Sequence, residues 1–104
     1  MKLKYSPEAG EDLQRIYDYI SSGLNNLISA NKTIERIIKA CAMLCDFPYL
    51  GLSVGNKFGI DSDLRLLVCG KHVVIYRVMN DCVYISRIVD GRTDYMRILM
   101  NELQ

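Results

Sequence analysis

The chain has 104 residues, half of them hydrophobic, with 13 Lys+Arg against 12 Asp+Glu and a formal net charge of +1. That length suits one compact domain with one core, residues 1–104, and excludes a second. Two prolines and the absence of low-complexity runs exclude disorder. Near-neutrality excludes a domain that coats nucleic acid through a large basic excess, while leaving room for a local basic patch.

No stretch approaches the roughly 20 consecutive apolar residues that cross a bilayer, and the N-terminal segment turns acidic where a signal peptide has its apolar core. A cytoplasmic protein without membrane association is expected, with Cys41, Cys45, Cys69 and Cys82 as thiols. Cys41 and Cys45 sit one helical turn apart, but Cys69 and Cys82 are not spaced as a second pair, so they read as small buried hydrophobes. The sequence holds no metal-ligand cluster, no glycine-rich phosphate loop and no Ser/His/Asp set, and it implies no cofactor.

Leu3 and Tyr5 alternate with Lys2 and Lys4, the pattern of a half-buried strand over residues 2–5. Ser6, Pro7 and Glu8 then offer a capping hydroxyl, a φ that is already helical and a negative charge at the positive end of a helix. Leu13, Ile16, Tyr17, Ile20 and Leu24 recur at three- and four-residue intervals, so a helix is predicted to run to about Ser22. Asn26 starts a second helix whose stripe is Leu27, Ala30, Ile34, Ile37, Ile38, Cys41, Leu44 and Cys45. It is expected to end at Phe47, because Pro48 disfavours helical geometry in the residue before it. Lys32, Glu35, Arg36 and Lys39 form its wet side. The short connection makes the two helices a hairpin.

Residues 48–59 read as a loop or poorly paired extended segment. Three strands follow, over residues 64–69, 72–78 and 82–89, joined by tight turns at Gly70-Lys71 and Asn80-Asp81. Asp90, Gly91 and Arg92 break the sheet, and Met96, Leu99, Met100 and Leu103 space a short terminal helix over residues 95–103. The expected fold is an α+β two-layer sandwich, with the helical hairpin on one face of a four-stranded antiparallel sheet. The opposite face is expected to stand open and present cationic side chains.

Five words of this sequence resemble the RelE/ParE superfamily of type II toxin-antitoxin toxins. They are Tyr5-Ser6-Pro7-Glu8-Ala9, Leu44 through Phe47-Pro48 with Gly51, Leu64-Arg65-Leu66, Gly70 through Val78, and Ile88-Val89-Asp90-Gly91-Arg92-Thr93-Asp94-Tyr95. The last two look most like the ParE branch. The resemblance implies a toxin that inhibits growth by binding DNA gyrase and is neutralised by a cognate antitoxin. Its target-binding residues would be Arg65, Lys71, Arg87, Arg92 and Tyr95.

The other branch implies a ribosome-dependent messenger RNA endonuclease, independent of metal, with Arg65, Arg92 and Tyr95 as its catalytic residues. Cutting RNA by 2′-hydroxyl attack requires a proton acceptor, cations around the phosphate and an acid for the leaving oxygen. Val73 stands where ribonuclease members tend to have an arginine, and Asp61 and Asp63 occupy a stretch where a basic pair is expected. The reading therefore leans away from an enzyme. A binding-only, inactive family member is the third alternative.

Overall fold

The computed structural model describes residues 1–92 and 95–103. Residues 93 and 94, within the last word quoted above, and residue 104 lie outside the described residues. The elements run β1 (Lys2–Tyr5), α1 (Pro7–Asp18), a π-helical turn (Tyr19–Gly23), α2 (Leu27–Met43), β2 (Leu52–Ser53), α3 (Val54–Phe58), β3 (Arg65–Cys69), β4 (His72–Met79), β5 (Cys82–Asp90) and α4 (Tyr95–Glu102).

The α1 start is built as its sequence dictates. Ser6 Oγ accepts from the Ala9 N–H at 2.9 Å and donates to the Ser86 carbonyl at 2.6 Å, with Pro7 in the first turn. Asn26 caps α2 by accepting from the Ser29 N–H. That helix closes at Met43 rather than Phe47, since Cys45 and Asp46 bond back to the carbonyls of Ala42 and Met43 and tighten the last turn.

Helices and sheet form the expected α+β sandwich with its helical hairpin, but the sheet has five strands in the order β1-β5-β4-β3-β2. It is mixed rather than antiparallel: β1 pairs in parallel with β5, Lys2 opposite Cys82 and Tyr5 opposite Ile85. A parallel pair needs a crossover of about a dozen residues or more, and everything from α1 to β4 lies between these two strands. The fifth strand is β2, where Leu52 and Ser53 pair with Leu66 and Arg65 inside the stretch expected to be a loop. Ser53 Oγ then caps α3 through the Asn56 N–H.

The β4–β5 ladder slips by one residue beside Ile75 and Tyr76, leaving Ser86 without a partner in the register. Val83 and Ile85 face the hairpin by strict alternation. The bulge then hands that face to Ile88 in place of Arg87.

Two apolar clusters sandwich the sheet. Beneath the hairpin lie Ala9, Ile37, Cys41, Leu44, Val74, Tyr76, Val83, Ile85 and Ile88. Burying an Ile or Leu of this kind contributes about 2 kcal/mol. On the other face Val54, Leu64, Leu66, Val73, Ile75, Val89 and Leu99 form a second cluster, with Tyr95, Ile98 and Leu103 against it. The expected open face is thus covered in large part by α3, Leu64 and α4. Two short amphipathic segments bury apolar residues that a bare sheet face would leave in water.

Candidate functional site

A groove of about 980 Å³ lies between the connected end of the helical hairpin and the end of the sheet. One wall is apolar, from Ile16, Tyr19, Ile20 and Leu24 on α1 and the π-helical turn. The other is polar, made by Arg36 of α2, the Gly70-Lys71 turn, His72, and the end of β5 with Arg92. Among the described residues five cations line it, namely Arg15, Arg36, Lys71, Arg87 and Arg92, against the carboxylates of Asp12 and Asp90. Tyr19 and Leu24 at the hairpin tip are exposed, extending the apolar wall toward solvent.

Asp12 holds the floor of the groove together. Only 1% exposed, its carboxylate accepts from Arg87 Nε at 2.8 Å and Nη2 at 3.0 Å, from Arg15 Nη1 at 2.9 Å, and from the Ile88 N–H at 2.8 Å. Burial by itself raises the pKa of this carboxyl. The bonds from Arg87, Ile88 and Arg15 outweigh burial and hold it below the ordinary aspartate value. The same pair raises the Arg87 pKa, the hydrogen bond to Asp12 being the main cause. Arg87 is therefore fixed in the wall by a two-point contact made possible by the bulge next to it.

Arg92 is organised more locally. Its N–H and guanidinium close on Asp90, at 2.8 Å from the backbone and 2.9 Å from Nη2, and this contact brings the Asp90 carboxyl down to about 2. The Arg92 side chain remains 68% exposed. His72 is buried opposite Asp90 in the β4–β5 register. Burial lowers its pKa first. Asp90 pulls the other way, and Arg92, Lys71 and Arg36 reinforce the lowering.

Of the five residues expected at the site, Lys71, Arg87 and Arg92 line this groove, and Arg65 and Tyr95 do not. Arg65 sits at the far end of β3, about 13 Å along the strand from the turn end at 3.3 Å per residue. Its Nε donates to the Gly51 carbonyl at 3.0 Å, Nη2 to the Tyr49 carbonyl at 3.3 Å, and the guanidinium lies 5.2 Å from the Tyr49 ring centre. It braces the segment ahead of β2. Tyr95 opens α4 and packs on the second cluster. The arginine of β4, Arg77, ties Asp63 to the Glu102 carbonyl at the end of α4.

The Pro48 and Gly51 word is likewise structural. Tyr76 Oη donates to the Pro48 carbonyl and accepts from the Gly51 N–H, both at 2.8 Å. A Cβ on Gly51 would fall 2.6 Å from that hydroxyl and 2.8 Å from the Leu66 carbonyl.

Sequence reasoning missed Arg15, Arg36 and the apolar wall as site residues. Arg36 was read as solvated surface of α2, and its significance arises across space: its guanidinium lies 3.0 Å from where a Gly70 Cβ would stand. Gly70 both takes the left-handed φ of +61° that the turn needs and leaves room for this arginine. The four cysteines are thiols. Among the described residues no group of three or more His, Cys, Asp or Glu is arranged to hold a metal, and no helix is long and apolar enough to cross a membrane.

A sandwich with a helical hairpin over a mixed sheet is also the architecture of the chromosomal ParDE toxin-antitoxin system from P. aeruginosa. That solved structure matches with a TM-score of 0.72 at 24% identity, over 86% of this chain and 95% of that one. The likeness establishes the shared fold. The family model of the ParE toxin of type II toxin-antitoxin systems matches residues 3–95, and the chain belongs to that family. No curated protein matches it in sequence.

Proposed function

We propose that this toxin inhibits growth by binding DNA gyrase, or gyrase engaged with DNA, through the groove at the end of the sheet, and that a cognate antitoxin neutralises it. Its place of action is then the cytoplasm. The observation that carries this reading is the groove itself, where, among the described residues, five cations and an apolar wall face one space against two carboxylates. Such a surface suits a macromolecule with both acidic and apolar features. Lys71, Arg87 and Arg92 would contact the target, with Arg36 beside them. Arg65 and Tyr95 would act by holding the fold.

Binding is favoured over RNA cutting because the catalytic set expected for a ribonuclease does not converge. Arg65 is committed to two backbone carbonyls at one end of the sheet, while Arg92 lies beyond the other. Purified gyrase tests the proposal directly. Added toxin should reduce supercoiling or accumulate cleaved complex, Arg92→Ala should weaken the effect, and a stoichiometric antitoxin should abolish it. Unchanged supercoiling together with new cuts in translated messages would replace this reading with the ribosomal one. Inactivity in both assays, with no growth arrest on induction, would leave a binding-only protein.

A further inference from the structure

We propose that Arg36, whose guanidinium reaches Gly70, and Lys71, the next residue of that turn, form a subsite for phosphates of a DNA backbone at the polar end of the groove. The inference rests on the gyrase reading above and names what that groove would touch. Three of the five groove cations are engaged by carboxylates within the protein: Arg87 and Arg15 share Asp12, and Arg92 closes on Asp90. Among the described residues, Arg36 and Lys71 have no carboxylate partner, and both side chains are exposed.

Their placement is specific. The Arg36 guanidinium crosses from α2 to Gly70, where the absence of a Cβ admits it, and Lys71 is the next residue of the turn. Buried His72, which also lines the groove, follows. A planar guanidinium offers two parallel donors to a phosphate and an ammonium supplies a point charge, a pair suited to successive backbone oxygens. The apolar wall lies on the α1 side, so protein and DNA components of one complex would meet different walls of the same groove.

Anisotropy of a fluorescent 20-base-pair duplex, titrated with purified protein at low and moderate salt, tests this. The wild type should bind, and R36Q/K71Q should weaken binding about tenfold and flatten the dependence of log K on log salt by about two, the slope expected for two lost phosphate contacts. The charge-matched control K32Q/K57Q removes two lysines outside the groove and should leave affinity within about twofold. Circular dichroism confirms that both variants fold. Equal losses in both variants would overturn the proposal, as would unaltered binding in R36Q/K71Q. A groove that binds an oligoglutamate peptide through Arg36 and Lys71 but not the duplex would also overturn it, assigning this end to an acidic protein segment. Gyrase inhibition is scored separately: its absence in the wild type defeats the gyrase reading while the duplex titration still decides the subsite.

Discussion

The two ends of the β3–β4 ladder handle positive charge in opposite ways. At the start of β3, Arg65 donates to two carbonyls and lies against the Tyr49 ring, so its charge is consumed in holding the segment before β2. At the turn end, Arg36 and Lys71 meet no carboxylate among the described residues and face a groove. A basic residue beside the sheet is therefore tied into the scaffold or left facing the groove according to which acceptors the fold brings to it. Charge alone does not distinguish the two.

The largest effect is expected where the two roles join, at Asp12. Asp12→Asn leaves the half-buried Arg87 without its buried counter-charge, and should cost about 3 kcal/mol in chemical denaturation. A loss below about 1 kcal/mol would mean the clamp is not what fixes Arg87 in the groove. At the scaffold end, Gly51→Ala forces a Cβ against the Tyr76 hydroxyl and the Leu66 carbonyl and should cost about 2 kcal/mol by the same measurement. Arg65→Gln should cost about 1 kcal/mol while leaving gyrase inhibition per folded molecule unchanged. Lys71→Gln should do the reverse, with an unaltered denaturation midpoint and weaker inhibition. If Arg65→Gln abolished inhibition without loss of stability, the division into scaffold and contact would be wrong.

Acidification probes the same clamp. Asp12 and Asp90 both have folded pKa values below the ordinary 3.8, so the stability they confer is complete above that value and is lost as pH falls through the folded values, about 2 for Asp90. The denaturation midpoint should fall between about pH 4 and 2, and Asp12→Asn should flatten that slope. His72 adds a gentler limb with the same sign. Its folded pKa lies below 6.5, so stability is complete above 6.5 and declines as the imidazole is forced to protonate. His72→Gln should remove this limb alone. The smallest effect belongs to the exposed Lys2–Asp81 pair, where Lys2→Ala should leave the midpoint unchanged within error.

Much of the scaffold was legible in the sequence because it is encoded locally. The Ser6-Pro7 cap, the stripe of α2 and the two turns of the β3–β5 meander each depend on residues close along the chain. The parallel pairing of β1, the Ser86 bulge and the cover on the second sheet face depend on partners far away, and no local pattern reports them. The site was legible only in part for the same reason. Lys71 and Arg92 sit in turns that the sequence marks, whereas Arg65 is tied down by the backbone carbonyls of Tyr49 and Gly51 and Arg36 is admitted by the missing side chain of Gly70.

The Ser6–Ser86 bond joins positions 80 apart, and β5 lies between β1 and β4 and contributes residues to both apolar clusters. In synthesis β5 follows every other strand of the sheet. Until it is made, the hairpin has no complete surface to settle on and the groove lacks the wall that Arg87 and Arg92 complete. A chain synthesised only as far as β4 thus has no assembled groove, and a stop codon anywhere before β5 should yield a fragment that lacks it.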